Sequence, residues 1–121
     1  MKFIIPIGFI LSFSAYASVP SAYSDIAEEY GIPDVLFYSI ALTESEKPNV
    51  KLPWPWAANI DGKGVYFDTQ SEMYTHLSKL VKQGQLNFDV GIMQINWRWN
   101  HHIFTSLKSA TDPYTNMRGG A

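Results

Sequence analysis

The chain has 121 residues, 46% hydrophobic and 15% aromatic, with nine basic against eleven acidic side chains and a formal charge of −2. That length allows one small domain, and the slightly acidic balance leaves no basic footprint for nucleic acid and no polybasic patch for anionic lipid. The lack of any cysteine excludes disulfides, thiolate metal sites, a cysteine nucleophile and a lipid-modified N-terminal cysteine.

Residues 1–17 have the makeup of an export signal. Lys2 supplies a short positive region, Phe3 to Phe13 is apolar apart from Pro6, Gly8 and Ser12, and Ala15-Tyr16-Ala17 gives the small-x-small pattern at which signal peptidase cuts. A membrane span needs about 20 apolar residues as helix, and this run is shorter and interrupted. The expectation is an exported, periplasmic protein cleaved after Ala17, with residues 18–121 as its single domain.

Ser18 to Ser24 reads as a polar lead, followed by a helix through Ile26, Ala27 and Tyr30 that Gly31 ends. Pro33 suits the first turn of a second helix. Val35 to Leu42 has little polar relief, which predicts a helix buried on all sides. Its last turn carries Thr43, Glu44 and Ser45, and Pro48 bars continuation. Residues 49–67 contain Trp54 between Pro53 and Pro55, the turn pair Asp61-Gly62 and the strand-like Val65-Tyr66-Phe67, predicting a small hairpin or extended lobe. A third helix is predicted from Thr69 to Gln83, capped by Asp68 or Thr69 and stopped by Gly84, with Met73, Leu77, Leu80 and Val81 as its apolar stripe. After the run Asn87 to Asn96 comes an aromatic and basic stretch to Phe104. Asp112-Pro113 then signals a helix start, with barely one turn before Gly119-Gly120-Ala121. The predicted class is α+β, mainly helical, with a minor β element.

Two segments carry candidate chemistry. Leu36, Ile40 and Glu44 are spaced by four, so the Glu44 carboxyl continues the stripe of a helix expected to be buried. Desolvation there, and the negative end of the helix dipole, would favour its protonated form, as a group that protonates a glycosidic oxygen requires. An ordinary solvated glutamate in a last turn fits the same spacing. The second segment is Gly91-Ile92-Met93-Gln94-Ile95-Asn96, where two amides in an apolar run need partners if buried. They serve either as a polar wall against a sugar or as internally satisfied strand residues. The paired tryptophans 54 with 56 and 97 with 99 are core packing or flat platforms for the apolar faces of sugars. His101-His102 and His76 lack metal-ligand spacing, so no metal is expected. Asp89 reads as a turn or cap residue, or as a second carboxylate.

Taken together, Ala41-Leu42-Thr43-Glu44-Ser45 followed by Gly91-Ile92-Met93-Gln94-Ile95-Asn96 resembles the soluble lytic transglycosylase family of the lysozyme-like superfamily, from about Ile26 onward. Pro53-Trp54-Pro55-Trp56, Gly62-Lys63-Gly64, Asn96-Trp97-Arg98-Trp99 and Asp112-Pro113-Tyr114-Thr115-Asn116 look like a branch associated with conjugation and type IV secretion. The resemblance implies a lysozyme-like fold acting on peptidoglycan glycan strands at the β-1,4 bond between N-acetylmuramic acid and N-acetylglucosamine. It makes Glu44 the one catalytic acid/base and gives a 1,6-anhydro product, without metal or cofactor and without the second carboxylate of most glycosidases. Ser45, Gly91, Met93, Gln94 and Asn96 would then shape the cleft or orient the acid and the bound sugar. The implied partner is a conjugation or secretion apparatus.

The sequence departs from the family pattern in one respect. A third motif with a tyrosine close to the catalytic glutamate normally follows the second, and Tyr114 and Tyr66 are not evident substitutes for it. The expectation is a domain incomplete at its C-terminus, with closing helices missing. Two other functions fit the same residues: a lysozyme-like hydrolase with Asp89 or Asp61 activating water, and a non-catalytic glycan-binding remnant.

Overall fold

A computed structural model of the chain describes residues 18–121. The export signal predicted for residues 1–17 lies outside the described residues. The elements run α1 (Ser21–Glu29), α2 (Asp34–Ser45), β1 (Ala57–Ile60), β2 (Lys63–Tyr66), α3 (Gln70–Lys82), β3 (Phe88–Val90), β4 (Ile95–Asn96), α4 (Trp97–Asn100), a 3-10 turn (His101–Ile103), α5 (Leu107–Ala110) and α6 (Pro113–Gly120). The class is therefore mixed helix and sheet, as the sequence predicts.

Local chemistry sets most of the boundaries. After α1, Gly31 takes φ +66°, and the Ile32 amide reaches back to Ala27 O at 2.9 Å. Gly84 closes α3 the same way at φ +82°, with the Gln85 amide on Leu80 O at 2.9 Å. In both, a left-handed glycine turns the chain so that the helix's last carbonyls find donors. Thr69 caps α3 by accepting from the Glu72 amide, and Asp112 caps α6 by accepting from the Thr115 amide, with Pro113 in the first turn. Asp61 and Gly62 both have positive φ, +52° and +78°, the conformation a tight β1–β2 hairpin requires.

Three readings need correction. α1 starts at Ser21 and not after Ser24; Ala22 and Tyr23 lie four residues before Ile26 and Ala27, and all four pack in one core, so burial overrides the weak helix preference of the serines. α6 runs two turns, through Gly119 and Gly120. Its glycines serve close packing rather than termination: a Cβ on Gly120 would lie 2.7 Å from Met93 Cβ, and one on Gly119 2.9 Å from Phe104 Cζ. Finally, α2 is not buried all round. Phe37, Ala41 and Ser45 face inward, whereas Val35, Leu36 and Ile40 are exposed.

The four strands form an antiparallel sheet in the order β2-β1-β3-β4. Two apolar clusters flank it. Ala58, Phe88 and Val90 join Met73 and Leu77 of α3 and Ala110 of α5. Tyr23, Ile26 and Ala27 of α1, Phe37 and Ala41 of α2 and Met117 of α6 close around Ile92 and Met93. The segment between β3 and β4 thus lies where the helical cluster meets the sheet. An exposed Arg118–Glu29 ion pair at 2.9 Å ties α6 to α1, and the Arg118 hydrogen bond holds Glu29 below the usual carboxylate range. No helix among the described residues is long and apolar enough to cross a membrane.

Candidate functional site

The two motifs read from the sequence meet in space. α2 presents the faces of successive residues differently at its last turn: Glu44 is exposed, while Ser45 is 2% exposed. Ser45 Oγ lies 2.6 Å from Ile92 O and 3.0 Å from Ala41 O, so its one proton is shared between its own helix and the β3–β4 turn. A contact across 47 positions in sequence therefore fixes the end of α2, and Glu44 with it, against residues 91–94. The burial expected for Glu44 is absent, because the Leu36–Ile40–Glu44 stripe faces outward rather than into the core.

The β3–β4 turn is held from below by Asn116 of α6, which is fully buried. Its Oδ1 accepts from the Met93 amide at 2.8 Å, and its Nδ2 donates to Val90 O and Ala110 O, each at 2.9 Å. Gly91 sits directly against this amide with φ +84°. A Cβ there would run into Asn116, so the position demands glycine for space as well as for backbone conformation. Gln94 has φ +51°, and its Nε2 donates to Gly91 O at 2.9 Å and Ala57 O at 3.1 Å. Met93 is 7% exposed and belongs to the helical core. Ser45, Gly91, Met93 and Gln94 thus belong to one internally bonded unit that joins the end of α2 to the β3–β4 turn. Of the two uses read for the amides, internal satisfaction accounts for the Gln94 nitrogen.

Asn96 stands apart from that unit, at the far edge of the sheet. Its Oδ1 accepts from the Trp99 amide as the N-cap of α4, and its Nδ2 donates to Asn87 Oδ1 at 3.1 Å and Asp89 Oδ1 at 3.0 Å. Its amide hydrogens are thus spent on two neighbours, Asn87 and Asp89. Asp89, read as a turn or cap residue or a second carboxylate, is a β3 strand residue that accepts from Asn96.

Past Glu44 the chain folds back over the sheet. The Trp54 amide donates to Ser45 O at 2.9 Å, Trp54 Nε1 donates to Phe67 O at 2.7 Å, and Lys47 Nζ lies 4.1 Å from the Trp54 ring centre. Tyr66 Oη donates to Glu46 O at 3.4 Å. Trp54 and Trp56 meet edge to face, and Trp56 Nε1 is buried without a partner among the described residues. Trp99, in contrast, is 70% exposed, with the Arg98 guanidinium 5.4 Å from its ring centre. The residues that follow Glu44 therefore stand beside Trp54, which is flanked by Lys47, and the Tyr66 hydroxyl.

Sequence reasoning missed Asn116 as the anchor of the turn. Gly91 was the available signal, since a glycine before an apolar run marks a close approach, but it does not name what approaches. No family model, curated protein or solved structure matches the chain.

Proposed function

We propose that this protein is an exported, lysozyme-like lytic transglycosylase of peptidoglycan, with Glu44 as its acid/base, opening the wall locally for a conjugation or secretion apparatus. The reading rests on the ordered motifs of the sequence. The observation that supports it most is the 2.6 Å contact of Ser45 Oγ with Ile92 O, which joins the glutamate-bearing helix end to the Gly91–Asn96 turn. A group that must give and then recover a proton at one place needs a fixed backbone and a free carboxyl. Ser45 supplies the first and the exposure of Glu44 the second. Glu44 protonates the oxygen between N-acetylmuramic acid and N-acetylglucosamine. As carboxylate it then takes the proton of the muramic C6 hydroxyl, whose oxygen closes on C1.

The experiment is muropeptide release from purified sacculi by wild type and Glu44→Gln. Gln keeps the shape but has no transferable proton, and such catalysis is worth roughly 100- to 10,000-fold. Anhydro-muropeptides from wild type, lost in the variant, are expected; near wild-type turnover in the variant would remove Glu44 from the role. A glycan-binding protein without activity is the second reading, and the exposure of Glu44 favours it, since the side chain stands in solvent rather than in an enclosed cleft. It predicts glycan binding with no release by either form.

A further inference from the structure

The acidic balance that leaves no patch for anionic lipid in the chain as a whole averages over two unlike halves. Residues 18–72 carry nine carboxylates against three lysines, whereas residues 73–111 carry Lys79, Lys82, Arg98 and Lys108 against Asp89 alone. The fold keeps the two segments apart. The acid-bearing helices α1 and α2 build the helical cluster around Ile92 and Met93. α3, β3 and α5 build the other cluster, together with Trp97, Phe104 and Leu107, so the four cations cover a different part of the molecule. Asp89 is bonded to Asn96 on the sheet, and none of the four cations forms a salt bridge among the described residues.

The cationic half also carries an aromatic ring that the core does not use. Trp97 packs into the cluster and stacks on Phe104, whereas Trp99, two residues on in the single turn of α4, is 70% exposed. The Arg98 guanidinium stands 5.4 Å from the Trp99 ring centre, and Ile103, at the end of the following 3-10 turn, is 47% exposed. An indole in water beside a guanidinium matches the headgroup level of a bilayer. There the ring lies against apolar chains while the cation and the indole N–H meet phosphate oxygens.

We propose that the α4 side of this protein docks on an anionic phospholipid surface, with Trp99 and Ile103 at headgroup level. Lys79, Lys82, Arg98 and Lys108 draw this half toward the lipid, and the same surface repels the carboxylates of α1 and α2, so the molecule approaches in one orientation. That orientation keeps the half bearing Glu44 away from the membrane. Neither signal suffices alone: two apolar side chains and four cations give a reversible attachment that salt weakens. An acidic protein segment offers the same charge but no apolar layer for Trp99, and the exposed indole therefore favours lipid. The attachment does not depend on the chemistry of Glu44.

The test is co-sedimentation of the full chain with vesicles of phosphatidylcholine alone and of phosphatidylcholine mixed with phosphatidylglycerol, at low and at raised salt. A gain in binding with phosphatidylglycerol, lost at raised salt, is expected. Trp99→Ala should bind the mixed vesicles about tenfold more weakly, and Lys108→Gln about fivefold. Leu36→Ala removes a side chain that is 52% exposed on the acidic half, and should bind as wild type does. All variants share residues 1–17, so differences among them report on the described surface. Brominated lipid should quench tryptophan emission in wild type and much less in Trp99→Ala, and the wild-type quenching needs no variant to fold. No gain with phosphatidylglycerol, undiminished binding by folded Trp99→Ala, unquenched wild-type emission, or an equal loss in Leu36→Ala each overturn the docking surface. Salt-sensitive binding of polyglutamate without vesicle binding also overturns it, and marks an acidic protein as the partner.

Discussion

Gly91 combines a left-handed backbone with direct contact against the buried Asn116 amide, whereas Gly31 has a similar φ but open space around it. The comparison separates two costs that usually arrive together. Gly31→Ala pays only for the backbone, about 1 kcal/mol. Gly91→Ala adds a collision with a side chain whose three hydrogen bonds hold the turn, so a loss above about 3 kcal/mol is expected from backbone strain and a disturbed buried network. Denaturant midpoints for the two variants check this, and equal losses would mean that Asn116 moves aside freely. Tyr23 gives a second prediction at this scale. Burial, reinforced by the nearby Tyr38, pushes its hydroxyl well above the ordinary tyrosine value of 10.0. The folded chain thus keeps a proton that the unfolded chain releases, so stability is complete below about pH 10 and falls as pH rises beyond it. Tyr23→Phe should flatten that alkaline decline; a melting profile above pH 10 with the wild-type slope would count against the assignment.

Elements whose ends are decided by local chemistry were legible in the sequence, and those decided by neighbours were not. Thr69, Gly84, Asp61-Gly62 and Asp112-Pro113 each fix backbone geometry within a few residues, and the helix and hairpin boundaries follow them. The turn at residues 91–94 is different. It depends on Asn116 from 23 positions away and on Ala57 from 37 positions before Gln94, and spacing alone does not reveal either partner. The same holds for α6, whose glycines read as a stop but fit a helix that approaches Met93 and Phe104 too closely for any side chain. α6 thus has two distinguishable contributions to the site. Asp112→Ala removes a cap and should cost about 1 kcal/mol with the turn intact. Asn116→Ala strands the Met93 amide and two carbonyls inside the core and should cost about 3 kcal/mol or more. Hydrogen exchange at the Met93 amide discriminates them: it should accelerate strongly in Asn116→Ala beyond the global loss of stability, and only in step with that loss in Asp112→Ala. Acceleration of the same kind in both variants would show that α6 holds the turn by packing alone.

At the scale of the whole molecule, the orientation of α2 decides what surface the protein shows. Val35 to Leu42 is apolar on nearly every side of the helix, so composition gives no inward direction, and full burial was the natural reading. The fold instead places α2 against α1 and the β3–β4 turn on one side, with Phe37, Ala41 and Ser45 inside and Leu36, its exposure 52%, outside with Val35 and Ile40. The inward set follows from the polar contact as much as from the apolar ones, because Ser45 must reach Ile92 O and a helix rotated to bury Leu36 would break that bond. Adjacent residues of similar hydrophobicity therefore have opposite consequences. Phe37→Ala opens a void in the helical core and should cost about 3–5 kcal/mol. Leu36→Ser removes a side chain that is already half in water, for which about 1 kcal/mol or less is expected, with improved solubility as the apolar patch shrinks. Paired thermal melts and concentration-dependent light scattering on the two variants provide the measurement. A Leu36→Ser loss approaching that of Phe37→Ala would mean that this face of α2 is covered in solution, and that the end of the helix bearing Glu44 sits in a more enclosed site than the chain alone provides.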